Sequence, residues 1–126
     1  MNTFFDVNTT ITFEQVKEFG AITGDNGPIH SVNGIVQGGL ILGMLPKWLS
    51  MTADGEQFDK SGKLAVSMIL DAKFRRKLPS NIPITVRFEY NTSSVKYTKI
   101  NWNIKREMVE YCSGTWVIYK TPIDNK

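Results

Sequence analysis

The 126 residues include one cysteine, Cys112, and one histidine, His30. A lone thiol cannot close an internal disulfide, which fits a reducing, cytoplasmic setting. No His/Cys/acid cluster has metal-ligand spacing and no glycine-rich dinucleotide fingerprint occurs, so neither a metal nor a redox cofactor is implied. Long apolar runs are missing as well. The longest, Leu40 to Leu45, is broken by Gly43 and ended by Pro46, far short of a membrane span. Residues Met1 to Asp6 carry neither a basic nor an apolar leader, so no secretory signal is expected. Charge of one sign is scarce: 15 Lys and Arg face 12 Asp and Glu, a net charge of +3. That is too weak and scattered for a nucleic-acid binder, though it suits a phosphate-bearing or acidic partner. Repeats and low-complexity tracts are absent, and the length suits one domain spanning 1–126.

The patterns that are present change character midway. Phe4 to Ile11 reads as an edge strand. Thr12-Phe13-Glu14-Gln15 fits a capping box, and Phe13, Val16 and Phe19 follow at helical spacing to about residue 22. Gly24, Gly27 and Pro28 stop that helix, and a polar turn covers Ser31 to Gly34. Ile35 to Met51 is apolar nearly all round, the mark of a helix buried on most sides, with Pro46 expected to kink or end it. Thr52 to Gly62 is loop-like. Leu64–Phe74, Ile82–Tyr90, Ser94–Lys105 and Tyr111–Tyr119 then read as strands, with turns at Pro79-Ser80-Asn81 and Asn91-Thr92-Ser93. Such strands, polar on their outer faces, need one apolar object to wrap, and the helix after Gly38 is the only candidate. The expected class is α+β: a curved antiparallel sheet around one long buried helix, the hot-dog arrangement.

His30 lies five residues after Asp25 in a Gly/Pro loop between two helices, where a rigid scaffold holds functional groups. An acid beside an imidazole suits proton transfer near neutral pH. A solvated, structural pair is the competing explanation. Phe19-Gly20-Ala21-Ile22-Thr23-Gly24-Asp25-Asn26-Gly27-Pro28-Ile29-His30 resembles the signature of MaoC-like dehydratases and R-specific enoyl-CoA hydratases, which ends Gly-Asp-x-Asn-Pro-Ile/Leu-His. Ile35-Val36-Gln37-Gly38-Gly39-Leu40 resembles the family's Ile-Val-His-Gly and the helix after it. A weaker match continues through Ala72 to Pro79. Two positions depart: Gly27 replaces an asparagine that helps brace the loop, and Gln37 replaces histidine. The run from His30 to Gly38 is also shorter than in typical members.

The resemblance implies the hot-dog fold and a catalytic dyad, Asp25 and His30, around one water. It further implies reversible hydration of trans-2-enoyl thioesters of coenzyme A or acyl carrier protein to 3-hydroxyacyl thioesters, in fatty-acid, polyhydroxyalkanoate or polyketide metabolism. Backbone N–H groups of Gly38 and Gly39 would receive the thioester oxygen; otherwise these glycines only allow close packing. Lys73, Arg75, Arg76 and Lys77 would meet coenzyme A phosphates or an acidic carrier protein, or else form a solvated strand end. Trp48, Met44 and Met51 suggest an acyl tunnel or plain core. Cys112, Trp102 and Trp116 fit strand packing. A homodimer is expected, because an isolated curled sheet leaves an open edge and a half-covered helix. A hot-dog thioesterase is the alternative enzyme, disfavoured because Leu40 to Met51 holds no acid. A non-catalytic thioester-binding module is the other alternative.

Overall fold

The computed structural model describes residues 3–52, 63–90 and 97–122. Strand β1 (Thr3–Thr10) leads into helix α1 (Phe13–Thr23), a short α2 (Pro28–Ser31) and α3 (Gly38–Ser50). Four strands follow: β2 (Lys63–Phe74), β3 (Pro83–Tyr90), β4 (Tyr97–Arg106) and β5 (Val109–Pro122). They form one sheet in the order β1-β3-β4-β5-β2, with every neighbouring pair antiparallel. The expected α+β class and single curved sheet are what the chain adopts.

Period-2 alternation places the core. In β3, Ile84, Val86, Phe88 and Tyr90 are buried while the residues between them are not. Ile100, Trp102 and Ile104 continue that face on β4, and Cys112 and Trp116 on β5. Against it lie Leu40, Ile41, Leu45, Trp48 and Leu49 of α3, all buried in the same cluster. Each such side chain contributes about 1.5–3 kcal/mol on burial. Trp48, Trp102, Trp116 and Cys112 are thus core residues, whereas Met51 is exposed. Burial pushes the Cys112 thiol up to about 12, with Glu110 adding to the shift, so it stays protonated and inert.

Helix α3 starts where expected, and two of its other features differ from the expectations. It begins at Gly38, because Ile35 pairs with Pro79 in a β-bridge and Val36 N–H donates to Leu78 O at 2.8 Å. It also runs through Pro46, which lies on an exposed face where the carbonyl it strands can meet water. That face, with Gly39, Gly43, Lys47 and Ser50, is open, so α3 is buried along one side only. The expected turn at Asn91 to Ser93 and most of the expected loop from Thr52 to Gly62 lie outside the described residues.

The capping box forms as expected. Thr12 Oγ1 accepts from Gln15 N–H at 3.1 Å, and Thr12 N–H donates to Gln15 Oε1 at 2.9 Å. A third end-group of α1 is satisfied from far along the chain, since Phe13 N–H donates to Asn81 Oδ1 at 2.9 Å.

Candidate active site

The segment carrying Asp25 and His30 is built mainly from backbone ties. Gly24 closes α1 at φ 81°, a left-handed conformation suited to glycine, and its N–H donates to Gly20 O at 2.8 Å. Thr23 Oγ1 donates to Phe19 O and accepts from Asp25 N–H at 3.2 Å. This turn swings Asp25 away from the helix axis. Pro28 then occupies the first position of α2, where its missing N–H costs nothing and its fixed φ favours a helical turn. His30 therefore sits on one turn of helix rather than in an irregular loop. Its N–H donates to Gly27 O at 2.9 Å.

The imidazole is held at Nδ1 and faces a carboxylate at Nε2. Nδ1 lies 2.7 Å from Ile35 O. A carbonyl oxygen only accepts, so Nδ1 carries the hydrogen, and the neutral ring presents a lone pair at Nε2. Nε2 faces Asp25 Oδ1 at 3.4 Å; the His30 side chain is 17% exposed and that of Asp25 55%. Two acceptors at this separation are satisfied in two ways: a proton on the ring makes an ion pair, or a water donates one hydrogen to each.

Gln37 is a residue whose role the sequence did not reveal. It is fully buried, and its Nε2 donates to Val16 O at 2.9 Å and to Asp25 O at 3.0 Å. Both partners are carbonyls, which fixes the amide orientation. Its Oε1 is buried with no partner among the described residues, a cost of about 1–3 kcal/mol. The sequence signal was the glutamine standing where the resembled motif has histidine. Gly27 has an ordinary φ of −58°, and a Cβ there would meet nothing within 4 Å, so that position has room for a side chain.

Gln37 also links the dyad to the start of α3. Gly38 and Gly39 follow it directly, and the first helical bond after them is Ile41 N–H to Gln37 O at 3.2 Å. The Gly38 and Gly39 amides belong to the first turn, which leaves them without helical partners and gives them the positive end of the helix dipole. No side chain caps this end, and no acid lies in its first turn. Close packing holds too: a Cβ on Gly38 would lie 3.1 Å from the Phe74 ring, and one on Gly39 2.9 Å from the Phe19 ring. The glycines therefore let two aromatic rings close on the helix start while leaving the amides free.

The four basic residues border two clefts, and Arg75 borders both. Arg75, Arg76 and Lys77 line a cavity of about 330 Å³ together with Gly38, Ile41 and the half-exposed Phe74. Lys73 points to the other side of β2, where its Nζ lies 3.9 Å from Asp71 Oδ2. It lines a separate polar cleft of about 270 Å³ on the outer sheet face, away from Asp25 and His30. Backbone bonds tie the basic run to the imidazole. Arg75 and Arg76 N–H both donate to Tyr111 O, and the Val36–Leu78 bond and Ile35–Pro79 bridge connect that strand end to His30's acceptor. Among the described residues, no group of three His, Cys, Asp or Glu side chains is placed to hold a metal ion. No described helix is long and apolar enough to cross a membrane.

No family model matches the chain, and no curated protein matches it by sequence. Solved structures do share its architecture. A variant of the fluoroacetyl-CoA-specific thioesterase FlK, in complex with fluoroacetate and CoA, superposes with a TM-score of 0.72 at 10% identity, covering 98% of this chain and 95% of that one. The (R)-hydratase from A. caviae involved in PHA biosynthesis gives 0.72 at 15% identity, with 96% of each chain covered. A Streptococcus mutans protein bound to acetyl-CoA gives 0.62 at 11% identity, covering 94% of this chain and 82% of that one. With its sheet order and central helix, the chain has the hot-dog fold.

Proposed function

We propose that the protein hydrates trans-2-enoyl thioesters, reversibly, with Asp25 and His30 as the acid–base pair. The observation that carries this reading is the imidazole held by Ile35 O at Nδ1 while Nε2 faces Asp25 Oδ1 at 3.4 Å. A water donating to both acceptors is oriented for attack. Its oxygen bonds to C3 as one of its protons passes to the dyad, and the dyad delivers a proton to C2, so the pair ends as it began. Charge developing on the thioester oxygen meets the Gly38 and Gly39 amides, each such donor being worth about 3 kcal/mol of barrier. Arg75, Arg76 and Lys77, on the same cavity as Gly38, suit the phosphates of coenzyme A or an acidic carrier protein.

The thioester class is supported by the CoA and acetyl-CoA complexes among the similar folds, and hydration by the (R)-hydratase. FlK, equally similar in fold, is a thioesterase, so hydrolysis is the competing reading. Helix α3 holds no acid to direct water at a carbonyl, which favours hydration. The open face of α3, with the exposed Ile22 and Val32 near the dyad, suits a second copy; a monomer by sedimentation would refute a dimer.

Crotonyl-CoA and longer enoyl-CoA or carrier-protein thioesters test the chemistry. Loss of enoyl absorbance without thiol release, abolished in Asp25→Asn and His30→Ala, is the expected result. Thiol release would make the protein a thioesterase. Binding with neither reaction would make it a binding module.

A further inference from the structure

We propose that Gln37 is the positioning residue of the dyad and that its carboxamide holds Asp25 in register with His30. This rests on the hydratase reading for its kinetic consequence, but not for its structural one.

Two residues of one short segment, Ile35 and Gln37, hold both members of the pair. Ile35 O fixes the His30 ring through Nδ1 at 2.7 Å. Two residues later, Gln37 Nε2 fixes the backbone of Asp25 through its carbonyl at 3.0 Å. The Asp25 N–H is already committed to Thr23 Oγ1, so both main-chain polar groups of Asp25 are tied, one to the end of α1 and one to Gln37. The second hydrogen of the same amide goes to Val16 O at 2.9 Å, which anchors it to the body of α1. The carboxylate itself is half in solvent, with His30 as its one close ionic partner among the described residues. Its placement is therefore decided by its main chain, and Gln37 is the buried side chain that reaches that main chain. Packing alone does not explain a glutamine here, because its Oε1 is buried without a partner among the described residues. An apolar side chain of the same length would avoid that cost but would take the donor from Asp25 O and the tie to Val16 O, whose carbonyl keeps its place in the α1 ladder.

The decisive variant is Gln37→Met, which keeps length and volume and removes both donors. On enoyl thioesters we expect kcat to fall about 10- to 100-fold, with KM little changed, as befits displacement of catalytic groups without loss of a substrate contact. An activity-free readout runs alongside. His30 is the only histidine, so its ring nitrogens give a single set of ¹⁵N signals. In the wild type these should report the Nδ1–H tautomer, and in Gln37→Met the ring signals and the Asp25 amide should move together. Wild-type kcat with unmoved His30 and Asp25 signals would overturn the proposal, whatever the melting temperature does. Should Gln37→Met not fold, Gln37→Leu takes its place, likewise removing both amide donors and leaving His30 the only histidine. Displaced signals with reduced kcat support the proposal, and unmoved signals with wild-type kcat overturn it. If the wild-type protein proves inactive on enoyl thioesters, the hydratase reading falls, and the NMR comparison still decides what Gln37 positions.

Discussion

Along β3 every second side chain is buried from Ile84 to Tyr90, whereas from Ala21 to Asn33 no residue is buried. The first stretch is held by packing against α3. The second is held by hydrogen bonds: the Gly24 cap, the Thr23 hydroxyl, the turn of α2 and the Gln37 amide. A region without a core of its own contributes little to global stability, yet it can be ordered where its backbone groups are individually tied. That division leaves the Asp25 carboxylate half in solvent, and on the hydratase reading proposed above it predicts that stability and activity separate on mutation.

The largest separation should come from Asp25→Asn. Hydration should fall by about 10²–10⁴-fold, while urea unfolding shifts by no more than about 0.5 kcal/mol, because the carboxylate is exposed and makes no core contact. A large stability loss would break the comparison. The opposite case is Leu45→Ala, at a fully buried position on α3. It should cost about 2–5 kcal/mol in urea unfolding, with turnover per folded molecule preserved. Gly24→Ala probes the boundary between the regions. Nothing lies within 4 Å of a Cβ there, so the penalty is purely conformational at φ 81°, about 1–2 kcal/mol. Loss of activity beyond that expected from the unfolded fraction would show that the cap also aims Asp25.

The smallest effect belongs to the sheet edge. Arg87 Nε and Nη2 donate to the two carboxylate oxygens of Asp6 at 2.8 and 3.0 Å, tying β1 to β3. The Arg87 hydrogen bond is the largest influence, and with the charges of Arg87 and Lys105 it outweighs desolvation and holds the Asp6 carboxyl below its ordinary value of 3.8. Its stabilisation is therefore present above that ordinary value and is lost as pH falls through the lowered one. Asp6→Asn should cost at most about 1 kcal/mol near neutrality, since the pair is solvent-exposed. Thermal midpoints of variant and wild type should converge in acid; a gap that persists there would assign the effect to something other than charge.

Much of the fold was legible because it rests on short-range periodicity. Alternation in Ile100 to Ile104 and the Thr12–Gln15 box each need only a few consecutive residues. What was hidden depends on distant partners. Residues 35 and 36, just ahead of α3, are claimed by residues 78 and 79, a contact that no local pattern encodes. The β4–β5 hairpin turns at Glu107 and Met108 without the usual glycine or asparagine, Glu107 taking φ 55°. At the site, Asp25 and His30 stood out by motif. Gln37 read as a departure until its two carbonyl partners, 12 and 21 residues away, were seen. Lys73 and Arg75, two residues apart at the end of β2, both border the outer cleft, and Arg75 borders the inner cavity too, with Arg76 and Lys77.

The hydrogen bonds running from Tyr111 O through the Leu78–Val36 and Pro79–Ile35 contacts to the imidazole act as a ruler. The basic run sits at one end and the Nε2 lone pair at the other, and the span between them is main chain throughout. On the proposed thioester reading, a ligand that grips the cations and presents its reactive carbon to the imidazole must match that span. Changing Arg75, Arg76 or Lys77 alters how firmly such a ligand is held, while its permitted length stays written into the backbone.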